Sequence, residues 1–312
     1  MLVVLRMYTQ LFRHLFKIEI SYCKRNSTNF GKGFTGDLLE TENKVTFFKK
    51  KKSKLDRVQE NAEYIYGIHP ILCALKYRKR KFHTVYFKNA AKNISDILEK
   101  CRSLGIQTIE TSPKAMSKLL PPDRAHQGII AEVDKMIIPE ITDYIQFCEL
   151  VILSDDSRWI IPWEIQDPMN LGNILRTAAF FGLNGCLLPS KKSCTVTSTV
   201  SKASSGAVEA IQILKLSNPI GLLRDLKNNG AIIIGTSKPD EGVTPLFNLK
   251  LANGPVFILF GNEGSGLPKE VKELCSLLVS IGGNPIEESI ESLNVTSAAS
   301  IVLYEIMKNK TN

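Results

Sequence analysis

From residue 159 to the C-terminus, short apolar runs recur at intervals that leave room for a helix between most of them. No other feature of the chain constrains its fold as strongly. The pattern predicts strands over 159–166, 185–189, 211–215, 231–236, 256–261 and 277–281, helices after most of them, and a last helix over 295–307. A run such as "VFILF" offers no polar residue to water, so these strands must be covered on both faces. Strand, turn and helix repeated in this order imply a mostly parallel sheet between helical layers. Ligands of such sheets bind at loops beyond the carboxyl ends of the strands.

A smaller α/β unit precedes it. Periodicity predicts a helix over 69–76, a strand over 84–87, an amphipathic helix over 94–104 closed by Gly105, a strand over 107–110, a helix over 113–119 and a strand over 128–133. We place this unit at 61–135, a connection at 136–150 whose apolar residues are interrupted by Pro139 and acidic groups, and the larger unit at 151–312. Two domains suit a chain of 312 residues.

The net charge of +9 is unevenly placed: the first 60 residues hold 13 Lys and Arg against 6 Asp and Glu, so +7 lies there and +2 in the rest. Residues 1–36 spread Arg6, Arg13, Lys17, Lys24, Arg25 and Lys32 among Leu, Phe, Ile and Tyr, with Glu19 the only acid. That composition is expected of a mitochondrial transit peptide and places the mature protein in the matrix; a basic tail or a membrane-surface helix is the alternative. Residues 37–60, with "KKKKSKLDRVQE", read as a solvated basic linker. No run of about eighteen apolar residues occurs, which excludes a membrane-spanning helix. Seven dispersed cysteines and four scattered histidines give no metal-ligand spacing and no disulfide framework, so no metal is expected.

Three loops carry candidate chemistry. In "EIQDPMNLGNILRTAAFFG", residues 164–182, Asp167-Pro168 ends a strand, Asn170 is placed to cap a helix, and Arg176 falls off the apolar stripe of Leu171, Ile174, Ala178 and Phe181. Taken alone, Asn170 is an ordinary cap and Arg176 a surface cation. In "FILFGNEGSGLP", residues 257–268, glycines surround Asn262 and Glu263, but Leu267 and Pro268 stand where a phosphate-cradling loop needs Lys and Ser or Thr. In "IESLNVTSAASIVLYEIM", residues 290–307, Ser292 and Asn294 lead into a helix with a small-residue face, and Asn294 again reads as a cap. A fourth stretch, "KYRKRKFH", places Lys76, Arg78, Lys79, Arg80 and Lys81 beside Tyr77 and Phe82, cations for phosphates and rings for unpaired bases, or else a solubilising loop.

Together, "QDPMNLGNILRTA", "FGNEGSGLP" and "SLNVTSAASIVLYE" resemble the three signature motifs of the SpoU (TrmH-like) RNA 2′-O-ribose methyltransferases of the SPOUT superfamily. Upstream, "YIYGIHPILCALK" and "AHQGIIAEV" are similar to the start and end of the L30e-like RNA substrate-binding domain that many members carry. The resemblance implies a C-terminal trefoil knot, a homodimer whose second copy helps complete the site, and S-adenosylmethionine held at Thr236, Gly261, Ile281 and Leu293. It assigns Asn170, Arg176, Glu263, Ser292 and Asn294 to catalysis. With the leader, it resembles most the members that methylate a guanosine ribose in mitochondrial large-subunit rRNA. A tRNA ribose methyltransferase and a non-catalytic RNA-binding assembly factor on the same fold are the alternatives. The segment "GGNPIEESIES" is longer and more acidic than in compact members.

An arginine guanidinium holds its proton far more tightly than a general base can, which makes Arg176 a poor one. We therefore expect it to orient the ribose and stabilise oxyanion charge, with Glu263 or a water as proton acceptor.

Overall fold

The computed structural model describes residues 61–88, 94–122, 124–284, 286–287 and 292–308. The expected transit peptide and basic linker lie outside them. The small unit consists of β1 (Ala62–Tyr66), α1 (Ile68–Tyr77), β2 (Phe82–Phe87), α2 (Ser95–Ser103), β3 (Gln107–Glu110), α3 (Pro113–Met116) and β4 (Ile129–Asp134). Its sheet runs β1-β4-β2-β3, with β4 antiparallel to both neighbours and β2 parallel to β3. Ile65, Val85, Ile129, Ala131 and Val133 pack on α1 and α2. β1 is the one strand here that the periodicity did not mark as separate from the helix after it.

The larger unit adds β5 (Glu140–Ile141), α4 (Tyr144–Leu150), β6 (Arg158–Pro162), α5 (Pro168–Phe180), β7 (Gly185–Pro189), α6 (Ser198–Ala203), α7 (Ala207–Ala210), β8 (Gln212–Leu216), α8 (Pro219–Asn228), β9 (Ile232–Thr236), β10 (Thr244–Pro245), β11 (Val256–Phe260), α9 (Lys269–Leu274), β12 (Leu277–Ser280) and α10 (Val295–Lys308). Its eight strands lie in the order β10-β12-β9-β11-β6-β7-β8-β5, and every recorded pairing is parallel. Burial on both faces is visible along β11. Val256, Ile258 and Phe260 face a core formed with α5 and α10, while Phe257 and Leu259 face one formed with α4, α8 and α9.

The stretch 136–150 is more than the expected connection. Glu140 and Ile141 pair with Lys215 and Leu216 at the sheet edge, and α4 inserts Phe147 against Trp159 and Phe257. Asp143 caps α4 by accepting from Gln146 N at 2.9 Å. A two-residue strand and a helix with one fully buried anchor leave no period to read in the sequence. The helices α6 and α7 escaped for a related reason: much of what they bury is small or polar, including Ser201, Ser204 and Glu209.

Candidate active site

The loops after β6, β9, β11 and β12 open on one edge of the sheet, because these neighbouring strands are parallel. Asp167 and Pro168 set the start of α5: the Asp167 carboxylate accepts from Met169 N at 2.9 Å and Pro168 takes the first turn, where a missing N–H is no loss. Asn170 is thus not the cap, contrary to the reading of its segment alone. It lies inside the first turn, and its amide is turned to other work. Its Nδ2 donates to Glu263 Oε1 at 2.8 Å, and its Oδ1 accepts from Asn294 Nδ2 at 3.5 Å. Asn294 does cap: its Oδ1 accepts from Thr296 N at 2.8 Å and from Thr296 Oγ1 at 2.6 Å at the start of α10.

Glu263 is carried by a loop that folds back on itself. Asn262 N donates to Gly266 O at 3.2 Å and Gly266 N returns a bond to Asn262 O at 2.9 Å. A Cβ on Gly261 would come within 2.5 Å of the Gly266 carbonyl carbon, so only glycine permits this closure. The Asn262 side chain organises the turn. Its Oδ1 accepts from Gly264 N (3.0 Å) and Ser265 N (3.2 Å), while its Nδ2 donates to Glu164 O at 2.9 Å and ties the loop to the one after β6. Asn262 Nδ2 also lies 3.5 Å from Glu263 Oε2. The Glu263 carboxylate is therefore held at both oxygens by amides, with lone pairs remaining and the residue exposed to solvent. Sequence reading treated Asn262 as half of an Asn-Glu pair without a role. Its position directly after a buried strand and before a Gly-Ser-Gly turn was the available signal.

Asn170, Glu263 and Asn294, which are 93 and 124 residues apart in their pairings, thus converge. Arg176 does not join them. It is exposed, makes no recorded ion pair or hydrogen bond among the described residues, and sits six residues further along α5, about 9 Å along the helix axis. Ser292 is exposed on the approach to α10. The residues expected at the cofactor are distributed over the three neighbouring loops. Thr236 ends β9 with its hydroxyl donating to Leu259 O at 3.1 Å, Gly261 follows β11, and Ile281 follows β12. Leu293 is half exposed, and a Cβ on Gly282 or Gly283 would meet nothing within 4 Å. Among the described residues no group of three or more His, Cys, Asp or Glu comes together to hold a metal.

The basic stretch of the small unit needs correction. Arg80 is buried, its Nε donating to Glu209 Oε1 at 2.7 Å and its Nη1 bonded to Glu63. A guanidinium so engaged is not available to RNA phosphate. Lys79 spends its ammonium on Ile211 O at 2.9 Å, and burial pulls its pKa down. Burial pushes the Glu209 carboxyl above its ordinary range, an effect that Arg80 and Lys79 offset in part. Lys76, Arg78, Lys79 and Lys81 remain exposed as residues, with the Lys79 ammonium tied to a carbonyl of the larger unit. Alternating cations in a short run look alike in sequence; which one meets a carboxylate 129 residues away is decided by packing.

Comparison with known proteins agrees with this architecture. Residues 158–304 match the SpoU rRNA Methylase family, and residues 64–137 match the RNA 2′-O ribose methyltransferase substrate-binding domain. A Staphylococcus aureus protein assigned to the TrmH family of tRNA/rRNA methyltransferases is 32% identical over 221 residues, covering 70% of this chain and 84% of that one. A 23S rRNA (guanosine-2′-O-)-methyltransferase of Ralstonia nicotianae is 28% identical over 256 residues, covering 80% and 97%. Among solved structures, the AdoMet-bound rRNA methyltransferase of Sinorhizobium meliloti superposes with a TM-score of 0.64 at 22% identity, over 80% of this chain and 87% of that one. The AviRb SpoU methyltransferase of Streptomyces viridochromogenes, in complex with AdoMet, gives 0.62 at 20% identity over 80% and 91%. These two share the fold.

Proposed function

This chain belongs to the SpoU family of RNA 2′-O-methyltransferases, and from that premise we propose that it methylates the ribose of a guanosine in mitochondrial large-subunit rRNA. The observation that carries the reading is the convergence of Asn170, Glu263 and Asn294 at the strand edge where Thr236, Gly261, Ile281 and Leu293 offer a nucleoside site. S-adenosylmethionine, bound in two of the related structures, is the cofactor; when bound it supplies a methyl group already activated on a sulfonium. Acceleration then rests on alignment and on removal of the ribose proton.

Glu263, fixed from both sides by Asn170 and Asn262, is the acceptor of the 2′ proton, directly or through a water. Asn170 and Asn294 present amide groups to the same ribose. Arg176 supplies a cation for the developing oxyanion and its phosphate, as an orienting group and not as a base.

Arg176 stands along the helix from that cluster, which favours a homodimer in which one copy's Arg176 serves the other's site. Phe180, Ile301 and Tyr304 are exposed on the paired helices α5 and α10, an apolar face for such a contact. Mixing Arg176→Ala with Asn170→Ala chains would then restore turnover in the hybrid, since one of its two sites is intact; two inactive variants that stay inactive on mixing would refute the shared site. The guanosine is taken from the Ralstonia relative, the organelle from the leader composition, and the trefoil crossing of the C-terminal loops from the family.

The reading is tested by tritium transfer from labelled S-adenosylmethionine to unmodified mitochondrial large-subunit rRNA, with the stop mapped by primer extension. Label at one guanosine ribose is expected. Label in tRNA would move the substrate to that class. No label in either RNA, with cofactor bound, would favour a non-catalytic assembly factor.

A further inference from the structure

The small unit lays α1 against α7 and β1 against α6, and the two ends of α1 meet different parts of the larger unit. At its C-terminal end Lys79 reaches Ile211 O and Arg80 reaches Glu209, immediately before β8. β8 runs parallel to β7, and β7 to β6, so the start of β8 lies on the sheet edge opposite the catalytic loops. Five strand residues separate those edges by about 17 Å. At the N-terminal end of α1, about 15 Å away along the helix, Lys202 Nζ donates to Gln127 Oε1 at 2.8 Å, and Gln127 Oε1 also accepts from Ile68 N at 3.3 Å. The next residue, Ala203, packs so closely on α5 that a Cβ at Gly172 would lie 2.5 Å from its own. Gly172 is two residues past Asn170, so this end of the small unit stands beside the catalytic loops.

The basic side chains sort along the same axis. Lys76, Arg78 and Lys81 are exposed at the far end, the last beside the end of β4, where Asp134 N donates to Lys81 O. At the near end, Lys88 follows β2 with its N–H bonded to Gly128 O, Arg124 is exposed three residues before Gln127, and Lys202 fills the seam. Lys191 and Lys192 follow β7 on the catalytic edge itself, and Lys192 lies 3.5 Å from Glu164. A ribose held at Asn170 and Glu263 would carry flanking phosphates on both sides, and Lys191 and Lys192 are exposed cations on the same edge.

We propose that the substrate RNA runs over this near end, with Lys88, Arg124 and Lys191 contacting its backbone, and that the buried Arg80–Glu209 pair fixes the small unit at the angle that presents them. The surface rests on the methyltransferase reading above. It assigns the RNA to the seam between the units instead of the "KYRKRK" stretch. Phosphate contacts of this kind give affinity that falls steeply with salt.

Two triple variants of the full chain compare the ends: Lys88→Gln with Arg124→Gln and Lys191→Gln, against Lys76→Gln with Arg78→Gln and Lys81→Gln. All six side chains are exposed, so both triples are expected to fold. The KM for an unmodified large-subunit rRNA transcript is measured across a salt series, beside S-adenosylmethionine affinity by calorimetry. The near-end triple should raise KM at least about tenfold and flatten the log–log salt slope by about 2, while the far-end triple stays within about twofold. Cofactor affinity should not change in either. Equal losses, or a larger loss from the far end, overturn the surface. Absence of methyl transfer by the unsubstituted chain would count against the reaction; retention of the same transcript on filters still compares the two ends and decides this surface by itself.

Discussion

Charged and amide side chains gather at two places in this protein, and the two clusters are built in opposite ways. At the strand edge Glu263 is exposed and, among the described residues, gripped by amides alone, and further along α5 Arg176 is exposed and engaged by nothing recorded among them. In the seam, Arg80 and Glu209 have no exposed side-chain surface and close on each other at 2.7 Å. Burial makes the second pair a matter of folding, because a charge removed from water must be matched or it destabilises the fold. Exposure leaves the first open to a ligand, which is why the proposed reaction is placed there. Strong electrostatic perturbation is often taken as the mark of a functional site. Here it marks the joint.

The largest test of that contrast is Glu209→Ala, which leaves Arg80 buried beside Glu63 alone and should cost about 3–5 kcal/mol in denaturant unfolding. A loss below about 1 kcal/mol would mean that water reaches the pair and would blur the distinction. Next, Arg176→Ala should lower turnover by about a hundredfold or more, with the unfolding midpoint and cofactor affinity unchanged. If instead its main effect were on stability, Arg176 would belong with Arg80. A smaller change is expected from Asp167→Ala, which removes the bond to Met169 N and should cost about 1 kcal/mol as a lost helix cap. Because α5 carries Asn170, some loss of turnover should accompany it, whereas Asp143→Ala at the cap of α4 should leave turnover alone. The smallest effect belongs to Lys192→Ala. Its exposed contact with Glu164 should contribute between about 0 and 1 kcal/mol to stability, within error of no change in a thermal melt.

The parallel sheet was legible because most of its strands are short, largely apolar and spaced by amphipathic segments. The strand over Gly185–Pro189 and the strand over Gln107–Glu110 fall at the expected bounds, and the last helix runs one residue beyond. What was not legible lacks a period. The edge strand at Glu140–Ile141 is defined by its partner, and α6 and α7 by the polar groups they bury. Among candidate site residues, the segment reading of Asn170 as a cap failed because Asp167 already satisfies the first turn.

Sequence alone determined the class of fold, and it singled out the loops in which chemistry is expected and the residue types able to perform it. Apolar spacing and glycine placement are local properties, written in the order of residues. Tertiary structure alone decided which amide meets which carboxylate across 93 residues, and which of five neighbouring cations is buried against Glu209. Those pairings depend on distances between segments brought together by burying the apolar faces, and polar side chains of one type carry no local sign of the partner that packing will give them.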